Sequence, residues 1–330
     1  MGTDPLTITA WALAALAVIL AWPAPILLSR ARWPRRSPAT AMILWQAIGL
    51  AGGLSMIGAM LTWGLAPLGD NLLSALERLF RIVFLNGSVE GLLFWHAFAL
   101  SAAALLGAHL LFTLALTYFR IARQRRRHRE LLLLLSSPAE QPGTVVINHA
   151  APVAYCLPGG ARSVTVLSDG LLNLLSSQEL QAVLTHENTH LLQRHHLLLW
   201  AFAAWKSALP WLPTSKLAQR SVNELIEMLA DDAALRVVAE PTLVRSIALV
   251  ASGTTSLDTE PPLAGKAGLT PSNATPDNVL PAPEDATAAR LERLLHPQPP
   301  LGQIGRAGIL LLSALLLAAP TALLVLPTLW

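Results

Sequence analysis

The sequence predicts an α-helical multi-pass membrane protein of about four spans that carries a cytoplasmic α+β domain. Three observations predict it. Hydrophobic residues make up 53% of the 330-residue chain and charged residues only 13%, with a positive mean hydropathy, which is too apolar for an ordinary soluble domain. Four apolar segments each reach the roughly 20 residues needed to cross a bilayer. Between the third and fourth lies a more polar stretch with both strand and helix signals. The expected organisation is a three-span membrane region over 1–119, the domain over 120–251, a Pro-rich loop with a short helix over 252–303, and the fourth span over 304–330.

The first span covers about 6–28. Its leading residues carry Asp4 and no Lys or Arg, so it lacks the basic start of a signal peptide, and no small-residue cleavage pattern precedes the basic cluster that follows. It therefore reads as a retained span. The others cover about 40–65, 91–119 and 307–326. Arg30, Arg32, Arg35 and Arg36 follow the first span; Arg120, Arg123, Arg125, Arg126, Arg127 and Arg129 follow the third. The loop between spans two and three is mixed, with Asp70, Glu77 and Glu90 against Arg78 and Arg81. The positive-inside bias then puts both Arg clusters and the domain in the cytoplasm and the N-terminus outside a cell membrane. Arg306 at the start of span four agrees. The net charge of +3 is thus mostly topology. The Arg run after span three has no interleaved aromatics, so membrane lipid is its expected partner and no direct nucleic-acid contact is expected. His96 and His109, inside span three, do not share a face; packing or an interhelical hydrogen bond is the expectation for both.

Within the domain, Leu131–Leu135 extends the third helix. Segments 144–148, 153–157 and 163–167 read as short strands, with Pro158-Gly159-Gly160 turning between the last two. Ser176 and Glu179 form a capping box that opens a helix, and Leu180, Val183, Leu184 and Leu191 give that helix a buried face. Segment 195–213 is apolar and rich in Trp, but short and interrupted by Lys206, so it reads as lying in the membrane interface. Segment 223–233 has no Pro or Gly and reads as helix. The Pro-rich stretch 252–303 reads as a flexible loop, inside which 285–295 reads as a helix with Arg290 and Arg293 on its polar side. Cys156 is the single cysteine, so no internal disulfide exists, which fits a cytoplasmic domain.

The chemistry lies in His186-Glu187-Asn188-Thr189-His190, an HExxH pattern on the capped helix. Four residues of helix turn about 400°, so both imidazoles project from one face and can grip one zinc ion, with Glu187 beside them as general base. A zinc hydrolase needs a third protein ligand. Glu227 and Asp231 face the same way on the downstream helix. Glu227 is the expected third ligand and Glu224, one turn earlier, its rival; Asp231 is placed to hydrogen-bond a ligand histidine and fix its tautomer. A second donor to the developing oxyanion is expected, with Arg236, His195 and Arg194 as the candidates. The bland alternative is a solvated acidic helix and two surface histidines.

Val164-Thr-Val-Leu-Ser168-Asp-Gly170-Leu-Leu, Glu179-Leu-Gln-Ala-Val-Leu184, the HENTH run, Arg194-His195-His196 and the E-x-x-A-D pattern from Glu227 to Asp231 together resemble the gluzincin zinc peptidases of membranes. Two related groups fit: the HtpX and CaaX-prenyl-protease group, and the BlaR/MecR group, whose members cut a DNA-binding repressor. The resemblance implies a gluzincin-like zinc peptidase domain with one Zn2+ per chain. Its ligands would be His186, His190 and Glu227, its catalytic glutamate Glu187, and Asp231 the aspartate behind a ligand. It also implies that a strand before the motif helix, here with Ala154 and Tyr155, aligns the substrate backbone. The short 195–213 segment favours the BlaR/MecR arrangement, hence a protein substrate such as a winged-helix repressor. Members that bind β-lactams carry an exterior sensor after span four, where this chain ends, so its signal is expected to arrive through the spans, the 70–90 loop or a partner. The alternatives are an HtpX-like quality-control protease and, from another class, a non-catalytic membrane scaffold. Intramembrane cleavage is disfavoured because Glu179, Gln181, Gln193 and Arg194 flank the motif.

Overall fold

The computed structural model describes residues 5–138, 143–158, 163–255 and 284–325. In chain order the helices are α1 (Pro5–Ala21), α2 (Pro23–Arg30), α3 (Pro38–Leu65), α4 (Leu72–Phe84), α5 (Phe94–Leu135), α6 (Asp169–Leu174), α7 (Ser177–Leu192), α8 (His195–Ala208), α9 (Pro213–Ala234), α10 (Glu240–Thr255), α11 (Glu284–Leu295) and α12 (Gln303–Val325). The strands are β1 (Ser136–Pro138), β2 (Thr144–Ile147), β3 (Ala154–Leu157) and β4 (Val164–Ser168). The expected turn at Gly159-Gly160 and the Pro-rich part over 256–283 lie outside the described residues. The chain divides into two compact units, one of residues 1–115, 204–221 and 301–330, the other of 116–203 and 222–300.

The first unit is helical. Pro5–Arg30, Pro38–Leu68, Phe94–Leu132 and Gln303–Val325 are helices long and apolar enough to cross a membrane, which suggests a membrane protein. The helix beginning at Pro5 breaks at Trp22, because Pro23 and Pro25 lack the N–H donors that would continue it. Pro25 leaves the Ala21 carbonyl without its helical partner. The Thr214 hydroxyl supplies a donor, 2.6 Å from that oxygen and 2.8 Å from the Leu20 carbonyl.

The second half of segment 195–213, expected to lie in the membrane interface, packs within the helical unit. Ala208, Leu209 and Leu212 are buried with Ala21 against Met56, Leu106 and Leu110. Trp205 lies flush on Gly53, where a Cβ would come within 2.9 Å of the indole. His109 Nε2 is 3.1 Å from the Ala208 carbonyl, an interhelical hydrogen bond, and the His96 ring meets Trp63 edge-on.

The second unit holds a four-stranded sheet in the order β1-β2-β4-β3. β2 and β4 are parallel; β1 and β3 run antiparallel to their neighbours. β1 was not expected, since Ser-Ser-Pro has no apolar alternation to announce it. The period of two sends Val166 to one face, with Leu157 and Leu132 of α5, and Leu167 to the other, with Leu171 and Leu175 against Leu180, Val183 and Leu184 of α7. Ser176 and Glu179 close the capping box of α7, and Glu179 also receives Arg245 Nε of α10 at 3.0 Å. Ala182, Ala234, Leu243 and Leu294 share one core, which locks α7, α9, α10 and α11 together. That packing sets α7 and α9 side by side and presents the faces carrying the motif residues to each other.

Candidate metal centre

α7 carries His186, Glu187 and His190; α9 carries Glu227 and Asp231. The Nε2 atoms of His186 and His190 are 3.2 Å apart. Glu227 Oε2 is 3.3 Å from His186 Nε2, and Glu227 Oε1 is 3.7 Å from His190 Nε2. Among the described residues this is the one cluster of three such groups whose ligating atoms all lie within 4.8 Å of one another. Donors about 2.05 Å from a tetrahedral zinc lie about 3.3 Å from each other. The three separations, taken to either Glu227 oxygen, lie near or somewhat above that figure, so these residues can hold zinc and leave a fourth position open. Glu224, the rival ligand, is half-buried one turn earlier and is not in the cluster.

The outer nitrogens fix the tautomers. His186 Nδ1 lies 3.0 Å from Asp231 Oδ1, so its N–H donates to the carboxylate and Nε2 is the nitrogen turned toward a metal. His190 Nδ1 lies 3.0 Å from His195 Nδ1, and His195 Nε2 lies 2.9 Å from Gln193 Oε1. The amide oxygen can only accept. His195 therefore donates from Nε2, accepts from His190 at Nδ1, and leaves the His190 Nε2 lone pair free. Arg194 makes this possible. It takes a left-handed φ of 51°, which turns the chain back at the end of α7 and sets His195 behind His190.

Arg290 of α11 completes the arrangement. Its Nε and Nη2 donate to Asp231 Oδ2 and Oδ1 at 2.8 and 2.7 Å, and its Nη1 is 3.0 Å from Glu227 Oε2. Asp231 is 1% exposed. Arg293, three residues on, pairs with Asp232 at 2.7 Å, so α11 is pinned to α9 twice.

These surroundings set the protonation states. Burial opposes charge on His186, but hydrogen bonds to Asp231 and Glu227 outweigh it and raise the imidazole to about 9, so without a metal both its nitrogens carry protons and a metal would displace the one on Nε2. Burial lowers His190 and His195 to about 4, so both are neutral. Burial also opposes ionisation of Glu227 and Asp231; the His186 and Arg290 contacts override it and hold both below the usual carboxylate range. Glu187 is different. Burial pushes its carboxyl up to about 7, although the Cys156 backbone N–H donates to it.

That N–H also orients the sheet edge. β3 is an edge strand, and Cys156 points its N–H away from β4, toward Glu187. Alternation then turns the backbone groups of Ala154 to the open edge and those of Tyr155 inward, opposite Val166. Of the expected substrate-aligning pair, only Ala154 is presented; the Tyr155 hydroxyl is hydrogen-bonded to His128 Nε2 at 2.7 Å. The oxyanion candidates also sit differently from expectation. His195 is 2% exposed with both ring nitrogens engaged, Arg194 serves a turn, and Arg236 is exposed after α9. The residue the sequence missed is Arg290. Its place on a polar helix face was legible, but nothing in the sequence links it to Asp231 across 59 positions.

Residues 121–264 match the model of Peptidase family M48. No curated protein and no solved structure matches the chain. The matched region holds α7 and α9 with His186, Glu187, His190, Glu227 and Asp231, and ends before α11. With the cluster of ligating atoms, the match supports a zinc metallopeptidase of the M48 family in this part of the chain.

Proposed function

We propose that the chain is a membrane-bound zinc endopeptidase that hydrolyses peptide bonds of a protein substrate on the cytoplasmic side. One observation carries the reading: two imidazole Nε2 atoms and the Glu227 carboxylate converge at zinc-site spacing, next in sequence to an acid poised near neutrality. Bound zinc would supply Lewis-acid polarisation of the scissile carbonyl and acidify water in the fourth position. The chain's own residues do the rest. Asp231 and His195 hold the two imidazoles in their binding tautomers. Glu187 takes a proton from water as its oxygen attacks the carbonyl carbon, then returns that proton to the amine nitrogen as the C–N bond breaks. Ala154, on the open edge of β3, pairs with the substrate backbone in an extended strand.

For the substrate we favour a winged-helix repressor, as in the BlaR/MecR group. What supports this choice is that α8 spans only His195–Ala208 and is not among the helices long enough to cross a membrane, so among the described residues the motif is followed by a single candidate span. The test compares new protein N-termini in cells making the wild type or Glu187→Gln, alongside metal analysis of the purified chain. One zinc per chain is expected in both and is lost in His190→Ala. Activity should fall about 10²–10⁴-fold in Glu187→Gln. A dominant cut in one DNA-binding protein, absent in the variant, supports the signalling protease. Many cuts in damaged membrane proteins would replace it with quality control. Identical N-termini from two zinc-loaded proteins would overturn the peptidase assignment.

A further inference from the structure

α4 lies between the second and third candidate spans and has three faces. At 100° per residue, Leu72, Ala75, Leu79 and Ile82 fall together, and they share one apolar cluster with Leu6, Leu65 and Leu68, against which Leu100 also packs. Ser74, Glu77, Arg78 and Arg81 form a polar face, with Glu77 and Arg81 paired at 2.6 Å. Between these faces runs a stripe of Leu73, Leu76, Phe80, Val83 and Phe84, all within about 100° of arc. All five side chains are exposed, four of them by more than half.

The packing face says where this stripe sits. Leu6 is one residue inside the start of the first candidate span, Leu65 and Leu68 close the second, and Leu100 lies in the first two turns of the third. α4 therefore shares a core with the ends of three spans, all at one end of the bundle, opposite the loop with Arg30, Arg32, Arg35 and Arg36. Thirteen residues reach only about 20 Å, too short to cross a bilayer. The exposed stripe continues along the chain through Leu85, Val89 and Leu93 into Phe94 and Trp95 of the third span. An apolar stripe at that depth, beside an Arg-bearing polar face, matches a helix that lies in the plane of the membrane with its apolar side among the acyl chains.

We propose that α4 is an interfacial helix whose Leu73–Leu76–Phe80–Val83–Phe84 stripe is covered by lipid. The connection between spans two and three is thus a membrane-surface element, and the packing of that leaflet bears on the ends of three spans through Ala75 and Leu79. This stands apart from the peptidase reading and survives its failure. The test uses the full chain with Cys156→Ser, or Cys156→Ala should the first fold poorly, in vesicles of phosphatidylethanolamine and phosphatidylglycerol. Nitroxide labels are placed by Leu76→Cys, Phe80→Cys, Arg78→Cys and Arg81→Cys in turn. Collision with oxygen, which partitions into lipid, is compared with collision with a water-soluble nickel chelate. The expected result is oxygen in excess at 76 and 80 and nickel in excess at 78 and 81. Nickel in excess at 76 and 80 would put the stripe in water, and shielding from both reagents there would mean a protein partner or a second copy. Either outcome overturns the proposal.

Discussion

Replacing Arg290 with Gln tests how the metal centre balances its charge. Glu187, Glu227 and Asp231 bring three carboxyl groups together, and Arg290 is the fixed cation that touches two of them. Arg290→Gln removes two of the three N–H donors to Asp231 and leaves a carboxylate that is 1% exposed. Breaking a buried ion pair in this way costs about 3–5 kcal/mol. At about 2–4 °C per kcal/mol for a unit of this size, unfolding of the chelator-treated protein should fall by on the order of 10 °C. Zinc changes the sum, because a dication at Glu227 compensates the same carboxylates that Arg290 does. With zinc bound, the variant should lose only about 1–3 kcal/mol, the cost of a buried acceptor short of donors. Arg290→Lys keeps the charge but not the two-point fork, and should fall between wild type and Gln. The assay is thermal unfolding of the purified chain by tryptophan fluorescence, with excess zinc or with EDTA. Equal destabilisation in both conditions would refute the reasoning and reduce Arg290 to a pin between α11 and α9.

Three further outcomes are expected. His195→Ala strips the acceptor from His190 Nδ1 and should weaken zinc binding roughly 10-fold or more, read by competition with a chromophoric chelator; unchanged affinity would mean that His195 does not orient the ligand. Burial pushes the Cys156 thiol up to about 11 from 9.0, so below pH 9 its thiolate is about 100-fold scarcer than in the unfolded chain and iodoacetamide should label the folded protein correspondingly slowly. The sign for stability follows: the unfolded thiol ionises first, so this contribution is complete below about pH 9 and is lost as pH rises toward 11. Arg194→Gly relieves a left-handed backbone at an exposed turn and should stabilise the unit by up to about 1 kcal/mol, visible as a small rise in unfolding temperature; a fall would show that the Arg194 side chain matters more than its φ.

The sequence by itself determined what lies within a single element. Segment length and hydropathy gave the four apolar helices, because crossing a bilayer needs a set number of apolar residues per helix. The capping box at Ser176 and Glu179 gave the start of α7, because both partners sit within one turn. Helical pitch placed His186 with His190, and Glu227 with Asp231, on common faces. The tertiary structure decided how those elements meet. It closed α7 on α9 through Ala182 and Ala234, so that two half-sites became one cluster. It brought Arg290 onto Asp231 by packing α11, and it turned His195 behind His190 through a left-handed arginine, a conformation that residue type does not signal. It put Ala154 rather than Tyr155 on the open edge, since strand register depends on the partner strand. It buried Leu209 and Leu212 in the helical bundle, where a glycine on α3 makes room for Trp205. In each of these the deciding contact joins residues of different elements, and periodicity within one element cannot carry it.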